Sequence, residues 1–388
     1  MDINMKVNVL PALTYNWLHV NESSIVEENI RIDRFAIPVP ENLPEGVSVE
    51  TQIPADKAEE IFAKAAEIAN QQNAANIQGP NGDTYGRNAG QHVHTGMGID
   101  ADRLMDSMHV MTTVICAAEN RKIAEPLVLH DYMKDGEGTL SRQIIHAKRG
   151  SEITVVMDYR SEDAAAGFHG ISTKLYAEQD ATIHLVKVQM LGSGFVHFDD
   201  IGGVCEENAV IDLIQMEMGA HKVWNGCHIN LLGKEASFQD NTGYLCRYDQ
   251  QYDMNYVAEQ RGRKTQSEMI FRGVLMDQAQ KTFRGTIDFR NGSCGSTGDE
   301  QEDTLLLSPD VINRTIPLIL CQEEDVDGRH GATIGQLGED LLFYMQTRGI
   351  SAEEAKKIMV RARLESIGRL IPEDYLRGTV EDYIRKIL

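Results

Sequence analysis

Between about residue 108 and residue 307 the chain keeps returning to one kind of segment: a short alternating apolar run closed by Gly, Asn, Asp or Ser. HVMTTVICAA, SEITVVMDY, ATIHLVKVQM, AVIDLIQMEM, KVWNGCHINLL, YDMNYVAE, SEMIFRGVLM and KTFRGTIDF all have this form. Successive side chains of an extended chain point to opposite faces, so period-two alternation between turn formers predicts half-buried strands. Val, Ile and Thr dominate the inward positions, as a pleated surface prefers. So many strands with so few helical segments between them exclude a doubly wound α/β fold. A sandwich, a barrel and a stacked solenoid remain, and no strict internal repeat chooses among them.

The flanks read differently. Residues 1–50 are irregular, with Pro11, Pro38, Pro40 and Pro44. Pro54 then opens a helix in which Ile61, Ala65, Ile68 and Ala69 keep helical spacing. Residues 72–96 are polar and glycine-rich and read as a loop or linker. Beyond 335, GEDLLFYMQTRG predicts a helix ended by Gly349. Ser351 with Glu354 forms a capping box for a second helix, with Ala355, Ile358, Met359 and Ala362 as its apolar stripe. Thr379 is the predicted cap of a third, carrying Val380, Tyr383, Ile384, Ile387 and Leu388 on one face. The expected division is 1–100 for an N-terminal region and linker, 101–334 for the strand body, and 335–388 for a helical tail. The tail reads equally as a docking element or as a cover for one end of the body.

Charge narrows the partners. Asp and Glu number 59 against 37 Lys and Arg, a formal net charge of −22. Such a field repels nucleic acid and anionic lipid, so neither is expected as a partner. No stretch approaches the about 20 apolar residues of a membrane span, and no leader pattern opens the chain. Six cysteines are widely spaced without a C-x-x-C pair, which argues against a disulfide framework and a zinc ribbon. The expected compartment is the cytoplasm, where reduced thiols are free to bind soft metal.

The chain holds no phosphate loop, no dinucleotide fingerprint, no nucleophile elbow and no H-E-x-x-H pair, so NTPase, dehydrogenase and hydrolase readings lack an anchor. The densest chemistry lies in Leu305–Ile350. There the apolar run IPLIL delivers Cys321 and then Glu323, Glu324, Asp325, Asp327 and His330. In an extended chain Cys321, Glu323 and Asp325 share a face. Thiolate, imidazole and carboxylate together hold iron while leaving it exchangeable. The same run also reads as a strand entering an acidic surface turn. His92 and His94 make an H-x-H pair in the loop. Cys227 and His228 adjoin and so face opposite sides. Cys205, Cys227 and Cys246 read as small core residues, and Cys294 as an exposed turn thiol.

At this stretch the sequence resembles the SufB/SufD family. The run DVDGRHGATIGQLGEDLLFYMQTRGIS is similar to that family's C-terminal signature, and FRGTIDF…EDTLLLSPDVINRTIP to its F-R-G strand and L-L-L turn. The likeness is closest to the short, self-pairing members. It implies a mainly β fold, a right-handed parallel β-helix with helical N-terminal and C-terminal regions. It also implies a non-enzymatic scaffold for iron–sulfur cluster assembly, working with a SufC-like ABC ATPase docked on residues 335–388. A cysteine desulfurase is the implied sulfur source and apo iron–sulfur proteins the recipients. His330 matches the family histidine ahead of the A-T segment. Val311 and Gly328 stand where the SufB and SufD branches carry cysteines, and Gly331 where SufB carries glutamate. Cys321, nine residues before His330, is then the natural substitute. The expected site is Cys321, His330 and Glu323, with Asp325 beside them, doubled by symmetry in a homodimer to hold a transient 4Fe-4S cluster. Two other readings stay open. One is a cupin-like metal-dependent enzyme using His184, His197, His221 and His228. The other is a structural adaptor of the ATPase that holds no cluster.

Overall fold

The computed structural model describes residues 1–14, 16–75, 93–336 and 338–388. From Thr112–Ala117 to Val326–Gln336 the strands alternate between two sheets, and each pairs in parallel with the strand two places on. One sheet has nine strands and the other eight. Val47–Ile53, at the start of the larger sheet, is antiparallel to its neighbour. The body is therefore a parallel β-solenoid with helices at both termini. Each coil contributes one strand to each sheet.

The coils differ in length. Val196 pairs with Lys222, 26 residues on, whereas Gln280 pairs with Ile312, 32 residues on. This drift is why the repeat is structural without being a fixed period in sequence. What recurs is a corner. Asn120, Gly150, Asp180, Asn208, Glu235, Lys264 and Gly295 all have positive φ, and each donates its N–H to a carbonyl of the next coil. Left-handed backbone is easiest for Gly, Asn and Asp, which hold five of the seven places.

Inward side chains of both sheets form the main core, with Ile171, Ile201, Cys227, Phe271 and Ile287 fully buried. The lumen is not wholly apolar. His169, His197, Lys187, Asp199, Glu217, Lys281 and Glu302 are also buried. Most of them pair among themselves, such as Lys187 with Asp199 at 2.5 Å and His169 Nδ1 with His197 Nδ1 at 2.9 Å.

Both outer faces are covered. Residues 1–50, irregular by sequence, contain a hairpin of Ile3–Val7 and Ser23–Glu27. With helix Ile99–Ser107 it packs on Phe168, Phe198 and Trp224 of the nine-stranded sheet. Helix Ala63–Ala75 covers Val114, Ile144, Tyr176 and Val204 beside them. Residues 93–98 lie so close to this sheet that a Cβ on Gly96 would stand 1.9 Å from the Cys227 nitrogen.

Helices Ala352–Gly368 and Asp374–Ile387 lie along the flank of the eight-stranded sheet, not over an end of the body. Val360, Leu364, Ile367, Leu376, Val380 and Ile384 are buried there against Val186, Val188, Ile214, Met216, Leu245 and Val274. Burying such a side chain contributes about 1.5–3 kcal/mol. The apolar stripe thus runs through Val360 and Leu364, while Ile358 is exposed. Ser351 caps the first of these helices, its Oγ accepting from Glu354 N at 3.1 Å. Glu373, not Thr379, caps the second, accepting from Tyr375 N and Leu376 N. Thr379 lies inside the helix and donates to the Tyr375 carbonyl. No helix among the described residues is long and apolar enough to cross a membrane.

Candidate functional site at the open end of the solenoid

The two sheets finish in edge strands Ile312–Cys321 and Val326–Gln336, and neither pairs with a further strand among the described residues. Val326–Gln336 is mostly exposed and Ile312–Cys321 mostly half-buried, with Ile312 and Ile334 exposed. Cys321 is in register with Phe289 and His330 with Glu300. Phe289 and Glu300 are buried in the lumen. In-register residues of parallel strands share a face, so Cys321 and His330 both stand on inner faces at the open end. Both are exposed there, because no coil among the described residues lies over them.

The strand alternation does not continue past Cys321. Residues 322–325 form the corner, so Cys321, Glu323 and Asp325 are not on one extended face. Cys321 Sγ is 2.9 Å from the Glu323 carbonyl oxygen, and the Glu323 carboxylate accepts from Gly292 N at 3.1 Å and Glu324 N at 3.0 Å. The Asp325 carboxylate accepts from the Cys294 thiol at 2.9 Å, which pushes that thiol up. Asp327 pairs with Arg329 at 2.6 Å. His330 is four residues beyond Val326, roughly 13 Å along the strand direction. One chain therefore brings Cys321, Glu323, Asp325 and His330 to the same open end without gathering them round one point. No group of three or more His, Cys, Asp or Glu placed to hold a metal occurs among the described residues.

The remaining candidates are dispersed. His184 pairs with Asp212, His221 with Asp249 and His228 with Glu259, while His197 lies in the lumen against His169. This scatter, on a parallel solenoid, removes the support for a cupin-like histidine cluster. Cys205, Cys227 and Cys246 are buried, and burial pushes their thiols up. Cys227 faces the core and His228 the outside, as adjacent strand residues must. His92 lies outside the described residues.

Beneath the open end is a charged group that sequence reading missed. Lys281 and Glu302 form a fully buried ion pair, and Tyr244 donates to Glu302 at 3.1 Å. Glu300 is buried next to them, and burial with the Glu302 charge pushes its carboxyl up to about 8. The available signal was alternation: Glu300, Glu302 and Thr304 occupy the inward positions of Ser296–Leu306.

Comparison with known proteins identifies the family. The family described as SUF system FeS cluster assembly, SufBD core domain, matches residues 130–363. An iron–sulfur cluster assembly SufBD family protein of Trieres chinensis is 24% identical over 262 residues, 64% of this chain and 54% of the relative. A chloroplastic member from Arabidopsis thaliana is 24% identical over 251 residues, 61% of this chain and 44% of the relative. One from Staphylococcus saprophyticus is 20% identical over 263 residues, 67% and 57% of the two chains. The chain thus spans about half the length of the curated relatives it matches. Those names describe assembly rather than a catalysed reaction. With more than half its length matched, and with most of the solenoid inside the matched range, the chain belongs to the SufB/SufD family of iron–sulfur cluster assembly proteins.

Proposed function

We propose that this chain is a scaffold on which an iron–sulfur cluster is built between two copies meeting at their open ends. The observation that carries the reading is the placement of Cys321 and His330 on the inner faces of two edge strands, each with one edge unpaired among the described residues. Unpaired strand edges invite pairing with another chain. A two-fold axis there doubles the donor set, giving two thiolates and two imidazoles, enough for a 4Fe-4S cluster, with Glu323 and Asp325 beside them as harder oxygen ligands.

The partners follow from the same reading. The chain has no phosphate loop, so ATP hydrolysis falls to a SufC-like ABC ATPase. Its dock is the helical tail, where helix Glu339–Thr347 buries none of its residues and leaves Leu341, Phe343 and Tyr344 exposed. A cysteine desulfurase supplies sulfur, apo iron–sulfur proteins receive the cluster, and the compartment is the cytoplasm.

Anaerobic reconstitution with iron and sulfide tests the scaffold. The wild-type chain is expected to gain a cluster absorbance and to run as a dimer, and Cys321→Ser to lose most of both iron and absorbance. A Cys321→Ser protein with unchanged iron content and spectrum overturns the site. A chain that never takes up a cluster but still retains the ATPase is the adaptor instead.

A further inference from the structure

We propose that Glu300 is a second protein ligand, beside His330, for a divalent transition ion at the open end, and that ferrous iron is the ion this pair takes. The proposal rests on the reading of the open end as an assembly site.

Glu300 and His330 are register partners on the last two strands of the eight-stranded sheet. Neighbouring strands lie about 4.8 Å apart, so in-register side chains on one face can converge on one ion. Glu300 is 2% exposed, and its Oε2 has no hydrogen-bond partner among the described residues. A buried carboxylate oxygen is ordinarily satisfied, and one without a partner calls for an explanation. The neighbouring Glu302 is held through its Oε1 by Lys281 and Tyr244, while its Oε2 is likewise unpartnered among the described residues. The opposite sheet makes room for the Glu300 carboxyl. A Cβ on Gly285 would stand 2.3 Å from its carboxyl carbon, so the missing side chain at 285 leaves the group its place.

The donor types are compatible with ferrous iron. Imidazole and carboxylate suit ferrous iron and leave coordination positions open, whereas soft thiolate favours copper(I) or zinc. Cys321 lies four residues beyond Pro317, the register partner of Gly285, which is roughly 13 Å along the strand direction. Iron is therefore held apart from the thiol within each chain, and the second copy supplies a second imidazole–carboxylate pair.

The test is anaerobic titration of the full apo chain with cobalt(II) as the probe, followed by calorimetry and the visible d–d bands, then with ferrous iron. Glu300→Gln and His330→Ala are each expected to weaken binding at least tenfold, and the double variant to weaken it little further. Cys321→Ser is expected to bind as the wild type does. Gly285→Ala crowds the carboxyl without altering either donor and is expected to weaken binding as well. It carries the test if Glu300→Gln fails to fold. Wild-type affinity and an unchanged cobalt spectrum in Glu300→Gln, or in Gly285→Ala in its place, overturn the proposal. Cobalt binding that depends on Glu300 in a chain that never reconstitutes a cluster supports the pair and sinks the assembly reading instead.

Discussion

Lys281 and Glu302 form an ion pair sealed inside the solenoid one coil below its open end, with neither side chain exposed to solvent. Their contact bridges the two sheets, because Lys281 belongs to Gln280–Phe289 and Glu302 to Ser296–Leu306. Thr315 on the last coil receives a further hydrogen bond from Lys281 at 3.3 Å. The pair thereby ties the exposed final coil to the body beneath it.

Removing one partner leaves a charge buried without compensation, which typically destabilises by about 3–5 kcal/mol. Lys281→Met is expected to fall in that range in urea unfolding. Lys281→Met with Glu302→Leu is expected to recover at least half of the loss. A single variant as stable as the wild type would show that the pair is not sealed from water.

A second prediction concerns pH. Burial first, and then the charge of Asp199, push the Glu217 carboxyl up to about 8, while Lys187 opposes the shift. In the unfolded chain this carboxyl ionises near its ordinary value of about 4.3. Between there and pH 8 the folded state binds more protons than the unfolded one, so stability falls as pH rises. Glu217→Gln mimics the protonated acid and removes this dependence. Its melting temperature is expected to match the wild type near pH 5 and to exceed it at pH 8. The gain is on the order of 2–4 kcal/mol, since each pKa unit is about 1.4 kcal/mol. Parallel melting curves across that range would contradict it.

The cap of the last helix gives a third. Glu373→Ala removes the acceptor for Tyr375 N and Leu376 N and is expected to destabilise by about 1 kcal/mol. Thr379→Ala, inside the helix, is expected to change stability by less than about 0.5 kcal/mol. Chemical denaturation of both variants ranks them, and the reverse order would restore the cap read from sequence.

Gly96→Ala places a methyl group against the Cys227 backbone nitrogen, where no side-chain rotation relieves the clash. The segment 93–98 must lift from the sheet, breaking the Gly96 N to Ile201 carbonyl bond at 3.1 Å and the Asn255 Nδ2 to Gly96 carbonyl bond at 2.8 Å. A loss of more than about 2 kcal/mol is expected, as overpacking alone costs about 1–3. Amide exchange at Gly96 and Met97 should accelerate by at least tenfold. Protection equal to the wild type would mean that the segment does not rest on the sheet.

Residue pattern alone settled the class of local structure and much of the helical tail. Alternation marked the strands, because a pleated chain has period two whatever it pairs with. Ser351 with Glu354 marked a helix start, since that cap is a local hydrogen bond. The apolar residues of the last helix were legible for the same reason: Val380 and Ile384 repeat at the helical period. The family signature around His330 pointed to the solenoid. Alternation by itself could not, because it is blind to which strand lies beside which.

Tertiary structure decided the rest. Coils of 26 and 32 residues are equivalent only once corners such as Asn208 and Lys264 are stacked, so the repeat exists in space and not as a period. The corner at 322–325 turns Glu323 and Asp325 away from the line of Cys321, a bend that alternation cannot foresee. Glu300 and His330, thirty positions apart in the chain, become neighbours only through sheet register. Local spacing determines which way a side chain points. What it points at depends on contacts between distant coils, and those are fixed by the pairing of strands.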